Sequence, residues 1–419
     1  MEASAVDASA VPAFTSSVYT FVEDLRAEGT DAVLDRVLGD YGCDTLTVAA
    51  AYHRARDVTP HGPARVTLRR DGVHFPPPAE LFDGLRLTPP VQTGAEHEPL
   101  RTVRRRTAER GAALHGWTVF LHNTTLGLAH PEVTQENCFG DRAAPADLCP
   151  AHPEVRAYAV ALARSVARLG VDAVVAESLH YGTFGHGYHH ERSFVPLGPL
   201  EQFLLGLCFC ASCTQRADIA GVDAAAARAA AERAVGRVLD GAEPRPCALA
   251  PEDLPEPVAE YARTRGATVT SLAATVAEAV AAEGSQLVFL DLTGAVKGYA
   301  DGLPTGLPAA HEAWLTGVDP AAVGAVVPGY GVLAYARDPA RIASDTAAYR
   351  AVLPDACALR AVLRPGAPDT DSAEHLAEKT AAATGRGGAG AVDFYHYGLF
   401  PFTVLDRIPT ALKAAGGDR

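Results

Sequence analysis

Residues 171–177 read VDAVVAE, and residues 178–192 continue as SLHYGTFGHGYHHER. The first stretch has the length and apolar character of a buried parallel strand, and it ends in a carboxylate. The second stretch is a loop rich in His and Tyr. Carboxylates at the ends of buried strands, next to long polar loops, are typical of the functional face of an α/β barrel.

Seven other short apolar runs resemble this strand, and helical patterns separate them. The clearest helical patterns cover 31–38, 153–169, 256–282, 339–352 and 372–383. Strand and helix therefore alternate along the chain, which predicts a parallel sheet, and eight strands close most simply into a (β/α)8 barrel of the TIM type. The eight predicted strands are 18–22, 45–51, 118–121, 173–176, 287–290, 325–327, 359–363 and 392–395.

The segments that follow the strands are unusually long. We expect one barrel domain over residues 1–419, with insertions at about 54–97, 124–152 and 178–247. Insertions after strands all fall on the C-terminal face of a barrel. The Asp71-Gly72 pair predicts the turn of a β-hairpin within the first insertion.

Composition and charge limit the classes of binding partner that we expect for this protein. The 419 residues carry a formal net charge of −14, and no basic stripe occurs beyond Arg104-Arg105-Arg106. We therefore expect neither a nucleic-acid partner nor a membrane partner. The acidic start of the chain does not resemble a signal peptide, so we expect a cytoplasmic protein. The sequence gives no prediction for the oligomeric state.

Polar residues follow nearly every predicted strand, which indicates a reaction basin at the C-terminal face. Glu177 is the principal catalytic candidate. Hydrolysis of a glycosidic bond uses one carboxyl group as the acid and a second as nucleophile or base. Asp291, at the end of the apolar run 287–290, is the first candidate for the second carboxylate, and Asp393 competes with it.

The remaining polar residues of this face are candidates for binding a substrate. The residues of the His-Tyr loop could contact a sugar, hold a metal ion, or be ordinary loop structure, and the sequence leaves these alternatives open. The candidate substrate-binding residues are His53, His122, Asn123, His180, Tyr181, His189, His190, Glu191, Tyr330 and His396.

A cysteine cluster provides a candidate metal site. Cys208, Cys210 and Cys213 lie within six residues, and Cys149 in the preceding long segment could complete a structural zinc site with them. The competing interpretation is a group of small buried thiols at a helix end. No other cofactor is predicted.

The middle of the chain resembles a known family. The elements that carry the likeness are CPAHPEVRAY at 149–158, GVDA at 170–173 with Glu177, and CFCASC at 208–213. Over about residues 117–215 they resemble the poorly characterised glycosyl-hydrolase-like TIM-barrel proteins of bacteria. The resemblance implies a barrel and a carbohydrate-like ligand, and it identifies no catalytic pair. The His-rich loop of this chain is longer than the loop of that family.

The sequence thus predicts a glycoside hydrolase-like enzyme that cleaves a small glycoside or oligosaccharide with a carboxylate pair. One alternative is a metal-dependent isomerase, epimerase or lyase of sugars, which a chelator would inactivate. Another is a non-catalytic sugar-binding barrel, which would bind a ligand without turnover.

Overall fold

Eight parallel strands form a closed barrel at the centre of the protein. The computed structural model describes residues 14–185, 191–244 and 249–416. The first barrel strand pairs with both the second and the last, with Val18 opposite Leu46 on one side and Phe394 on the other. This double pairing closes the sheet and confirms the predicted (β/α)8 barrel. The barrel strands are β1 (Thr15–Thr20), β2 (Thr45–Tyr52), β6 (Ala113–Val119), β7 (Ala173–Glu177), β8 (Gln286–Asp291), β9 (Gly329–Leu333), β10 (Ala358–Leu363) and β11 (Ala391–Phe394).

Helices surround the barrel and fill the segments between its strands. The predicted helices at 256–282 and 339–352 have the observed bounds, and those at 153–169 and 372–383 differ by one or two residues at their ends. The helices are α1 (Val22–Glu28), α2 (Thr30–Leu34), α3 (Pro99–Glu109), α4 (Thr124–Ala129), α5 (Pro153–Ala167), α6 (Pro199–Leu205), α7 (Ala211–Ile219), α8 (Ala224–Leu239), α9 (Glu256–Ala282), α10 (Thr293–Gly298), α11 (Ala309–Glu312), α12 (Pro320–Gly324), α13 (Pro339–Val352), α14 (Ala373–Thr384), α15 (Phe402–Leu405) and α16 (Ile408–Gly416).

Two sequence predictions of strand position are wrong. The apolar run 325–327 is the turn after α12, and the strand begins at Gly329, beyond Pro328. Its sequence, GYGVL, contains two glycines, which weaken a strand pattern. The observed hairpin is formed by β3 (Ala55–Val58) and β4 (Val66–Arg69), so its turn precedes Asp71-Gly72. The next strand, β5 (Gly72–Val73), pairs with β2.

The barrel interior is arranged in layers because side chains alternate between the two faces of each strand. Tyr19, Trp117 and Val175 belong to one interior cluster. Their strand neighbours, such as Val18 and Val174, belong to a larger apolar core outside the sheet, against the helices. Interior and exterior positions can therefore be distinguished by parity along each strand.

A buried ion pair occupies the interior below the aromatic residues. Asp393 accepts hydrogen bonds from Arg360 at 2.9 and 2.6 Å and from the Ser17 hydroxyl at 2.6 Å. It is 3% exposed. The structure thus corrects the prediction that Asp393 could be the second catalytic carboxylate, because both of its oxygens are already bonded to the barrel wall, one interior layer deeper than Tyr395.

None of the helices in the described residues is long and apolar enough to cross a membrane.

Removing Arg360 should destabilise the protein strongly. Arg360→Leu leaves Asp393 buried without its cation, and breaking a buried pair in this way costs about 3–5 kcal/mol. Urea unfolding followed by circular dichroism would measure the loss. Arg105→Leu is the matched control, since Arg105 and Glu109 form an exposed pair on α3 and such pairs contribute little to stability. Equal effects of the two changes would contradict the structural role of the buried pair.

Candidate functional site

Glu177 lies at the C-terminal end of β7, the fourth strand of the barrel. It shares the parity of Ala173 and Val175, which are interior residues, so its side chain faces the barrel mouth. The next residue, Ser178, has a left-handed backbone (φ 55°), which is uncommon for a residue other than glycine. The chain thus turns sharply at the residue directly after Glu177.

Aromatic rings form the surroundings of Glu177. The indole Nε1 of Trp117 donates a hydrogen bond of 2.6 Å to Glu177 Oε2. Tyr52 packs edge-to-face on Trp117 at 4.7 Å, and Tyr395 does so at 5.8 Å. The Tyr52 and Tyr395 hydroxyls lie 3.4 Å apart. These rings exclude water from one side of the carboxyl group and leave it partly exposed on the other.

This environment changes the acidity of Glu177. Burial raises its pKa to about 7, while the Trp117 hydrogen bond and the charge of His122 act in the opposite direction. Desolvation prevails because the apolar rings cannot solvate a charge. A carboxyl group that titrates near neutrality can give up and take back a proton at physiological pH, which is the requirement for a general acid.

A histidine–aspartate pair lies next to this carboxyl group. His122 Nδ1 is 3.2 Å from Asp147 Oδ1. Burial lowers the pKa of His122, but the hydrogen bond and charge of Asp147, together with the charges of Glu177 and Asp71, hold the pKa above its ordinary value of 6.5. The ring of His53 stacks on Tyr52 at 4.3 Å and meets the His122 ring edge-to-face at 5.1 Å. His53, His122 and Glu177 therefore lie close together, and the predicted contact of the two histidines with a substrate stays a prediction.

A cavity of about 610 Å³ opens beside His122. The segments that follow β2, β6 and β7 line it, so it belongs to the C-terminal face of the barrel. Its polar lining includes His53, Arg56, His122, Asp147 and Glu191, and its apolar lining includes Leu68, Phe184, Leu205 and Leu207. Glu177 does not line the cavity. His122 lines it and is close enough to Glu177 for its charge to lower the pKa of that carboxyl group.

The hairpin of β3 and β4 extends one wall of this cavity outward. Arg56 and Leu68 are cross-strand partners that line the cavity, and Val58 and Val66 are the next pair on the same face. The apolar members of this face are strongly exposed: Val58 69%, Val66 61% and Leu68 69%. An apolar strip therefore leads from the cavity to the tip of the hairpin.

The structure separates Asp291 from this site. Asp291 shares the parity of Phe289, which packs outside the barrel, and it is fully buried. Its Oδ2 accepts hydrogen bonds from Tyr330 at 2.7 Å and Tyr349 at 2.9 Å, and its Oδ1 accepts one from the Thr293 hydroxyl at 2.6 Å. Two predictions are thereby corrected. Asp291 does not face Glu177, and Tyr330 is a buried partner of Asp291 that is unable to contact a substrate.

Three further candidates have structural roles instead of the predicted contact with substrate. The Asn123 side chain caps α4 by accepting a hydrogen bond from the Leu126 amide. His180 is buried and its Nδ1 is 2.8 Å from the carbonyl oxygen of Tyr181. The Tyr181 hydroxyl lies 3.3 Å from the Cys213 sulfur. All three are correctly placed near the strand ends, but their side chains point into the packing between loops.

The remaining candidates for substrate binding differ in whether the structure leaves their side chains accessible. His396 is fully buried and stacks on Phe21 at 3.8 Å, so it supports the aromatic cluster and has no access to a ligand. Glu191 is exposed and lines the cavity. The predictions for His189 and His190 lie outside the described residues.

The candidate site residues predicted from the sequence did not include Trp117, Tyr52, Tyr395 or Asp147. The three aromatic residues lie on the interior face near the ends of their strands, and the sequence alone did not show which face of each strand is interior. Asp147 gave no signal in the sequence. It lies 25 residues from His122 along the chain, and only the folded loop brings them together.

The four candidate metal ligands form one compact group. The sulfurs of Cys149, Cys208, Cys210 and Cys213 all lie within 4.8 Å of one another, and all four residues are buried. No other group of His, Cys, Asp and Glu in the described residues has the spacing of a metal site. The cluster lies in the loop layer outside the barrel mouth, so it is separate from Glu177.

Comparison with solved structures agrees with the fold. The α-L-fucosidase isoenzyme 2 from Paenibacillus thiaminolyticus is 11% identical and matches 95% of this chain with a TM-score of 0.56. A β-galactosidase from the psychrophilic Marinomonas ef1 is 11% identical and matches 95% with a TM-score of 0.53. This chain covers only 48% and 59% of those two chains. No family model and no curated protein matches the sequence.

These structural neighbours are glycoside hydrolases, and at such low identity the likeness shows the fold alone. The chain therefore shares a TIM-barrel fold with these two structures, which agrees with the barrel implied by the resemblance over residues 117–215.

The acidity of Glu177 can be tested without an assay of activity. Infrared or carbon-13 titration of the Glu177 carboxyl should give a pKa of about 7, compared with the ordinary 4.5. Trp117→Phe removes a hydrogen bond to the charged form, so the pKa should rise further. An ordinary pKa in the wild-type protein, or a fall in the Trp117→Phe variant, would contradict the described environment.

Proposed function

We propose that the protein is a glycosidase-like enzyme in which Glu177 is the general acid. The observation that supports this role is a partly exposed carboxyl group at the C-terminal end of β7, surrounded by Trp117, Tyr52 and Tyr395, with a pKa raised to about 7. The position agrees with the fold, because TIM-barrel enzymes place their catalytic residues at the C-terminal ends of strands.

The proposed reaction begins with the protonated Glu177. Its proton passes to the glycosidic oxygen as the bond from that oxygen to the anomeric carbon breaks, so the leaving alcohol departs neutral. Trp117 then stabilises the carboxylate that remains, because its indole N–H donates to Glu177 Oε2.

A second group must activate water or form a covalent intermediate. Asp393 and Asp291 have their oxygens bonded elsewhere, so we propose the pair of His122 and Asp147 in their place. Asp147 orients the imidazole, and neutral His122 accepts a proton from the attacking water. Water attack without a covalent intermediate would invert the anomeric configuration. Proton NMR of the first-formed product would report inversion, and retention would contradict this role of His122.

The proposed substrate is a small glycoside or oligosaccharide with an apolar aglycone. The cavity of about 610 Å³ has room for one or two sugar rings, and its polar lining can hydrogen-bond their hydroxyls. The strip of Leu68, Val58 and Val66 would then contact the aglycone.

Glu177→Gln should abolish turnover and preserve the fold. Loss of a general acid lowers the rate by about 10²- to 10⁴-fold, and the amide keeps the size of the side chain. Hydrolysis of a panel of aryl glycosides would measure the rate, and circular dichroism would check the fold. Glu278→Gln, an exposed change on α9, is the matched control and should retain full activity. A folded Glu177→Gln protein with nearly normal turnover would refute the proposal.

The pH profile should be a narrow bell close to neutrality. The acid must be protonated, so activity falls as pH rises through the pKa of Glu177, about 7. The base must be neutral, so activity falls as pH drops below the raised pKa of His122. Asp147→Asn removes the charge that raises this pKa, and the acidic limb should move to lower pH. An unchanged acidic limb in Asp147→Asn would exclude His122 as the titrating base.

Two alternatives remain distinguishable from the proposal. A metal-dependent isomerase, epimerase or lyase of sugars would convert free sugars and lose activity with a chelator that leaves the fold intact. A sugar-binding barrel without catalysis would bind glycosides with equal affinity in the wild type and in Glu177→Gln, with no turnover in either. Isothermal titration together with product analysis separates these outcomes.

A further inference from the structure

We propose that Cys149, Cys208, Cys210 and Cys213 bind one zinc ion as four thiolates, and that buried Arg265 is the counter-cation of this centre. The proposal is independent of the catalytic role of Glu177. Three features support it: the positions of the sulfurs, the N–H groups around them, and an arginine without a carboxylate.

The sulfurs have the spacing of a tetrahedral zinc site. Cys149 Sγ lies 3.5 Å from Cys210 Sγ, 3.4 Å from Cys213 Sγ and 3.8 Å from Cys208 Sγ. A tetrahedron with zinc–sulfur bonds of about 2.3 Å has edges of about 3.8 Å. The same distances are far longer than a disulfide bond of about 2.05 Å, and the four cysteines are free.

One backbone N–H group and the N-terminus of one helix lie at the sulfurs, an arrangement that favours thiolates. The Glu136 amide donates to Cys208 Sγ at 3.4 Å. Cys210 is the N-cap of α7, a helix of nine residues, so the positive end of that helix faces the cluster. Neutral thiols would gain little from these dipoles, whereas negatively charged sulfurs are stabilised by them.

Arg265 supplies the independent observation. It is 2% exposed, and its Nε and Nη2 have no hydrogen-bond partner within the described part of the chain. Its guanidinium lies 4.4 Å from the ring centre of Tyr181, whose hydroxyl is 3.3 Å from Cys213 Sγ. No carboxylate of the described residues forms an ion pair with it. A buried cation without a counter-charge is costly, and four thiolates with one Zn²⁺ carry a net charge of −2 that would balance it.

The centre also holds one wall of the cavity. The segment around Glu136 is tied to the cysteine loop by the Cys208 contact and by the bond from the Phe209 amide to the Glu136 carbonyl oxygen. Glu136 and Leu207 both line the cavity. Loss of the metal should therefore loosen this wall, which hydrogen exchange of residues 135–147 and 205–215 would detect with or without a known substrate.

The first test is the metal content of the wild-type protein. Elemental analysis after purification without chelator should give one zinc per chain. Reduced, metal-free protein should bind added Co²⁺ with the visible absorption of a tetrahedral thiolate site. Absence of zinc together with absence of the cobalt spectrum would overturn the proposal, and so would iron as the stoichiometric metal.

Variants then test the ligands. Cys210→Ser and Cys213→Ser should each lower zinc content and melting temperature together. Cys43→Ser and Cys357→Ser are the matched controls, because both are buried cysteines outside the cluster and should keep the full zinc content. Equal zinc content in all four variants would exclude the cysteine cluster as the site.

The role of Arg265 has its own test. Arg265→Met keeps the length and apolar stem of the side chain but removes the charge, so zinc should be lost to a competing chelator about 10- to 100-fold more readily. Arg265→Lys keeps the charge and should restore most of the affinity. If Arg265→Met folds and retains zinc as tightly as the wild type, the counter-cation role is refuted.

Discussion

Closure of the parallel sheet is the constraint on which the rest of this structure depends. Once β1 pairs with both β2 and β11, every strand must send alternate side chains into a confined interior. The deeper part of that interior holds the Arg360–Asp393 pair, and the part near the mouth holds the aromatic cluster of Tyr19 and Trp117. The same closure fixes Glu177 at the mouth, above a layer that cannot solvate it.

The acidity of Glu177 follows from this arrangement. An aromatic surround is a poor solvent for a charge, so burial raises the pKa of the carboxyl to about 7. Trp117 moderates the effect through its N–H, and His122 moderates it through its charge. One strand end thus acquires acid–base capacity, whereas the carboxylates of Asp291 and Asp393 are committed to hydrogen bonds that hold the barrel and its outer layer together.

The loop layer is organised separately from the barrel. The long segments after β6 and β7 carry the cavity wall and also the four cysteines, which bring Cys149 and Cys208–Cys213 together across about 60 residues. Loops of this length lose much conformational entropy on folding. A metal centre would offset part of this cost by fixing the two loops to each other. The hairpin of β3 and β4 adds an apolar strip at the opposite side of the cavity.

The sequence by itself determined the barrel, the bounds of four of its helices, a carboxylate at the end of the fourth strand, and the cysteines as a group, because these depend on local periodicity and spacing. Only the tertiary structure decided which strand-end polar residues share a site. Asp291 and Glu177 both end apolar strands, but they lie on opposite faces of the sheet. Asp291 points outward to Tyr330 and Tyr349, whereas Glu177 points to the barrel mouth. Asp147 reaches His122 only through the folded loop. Parity relative to a closed sheet and contact across loops are long-range properties, which local sequence patterns do not encode.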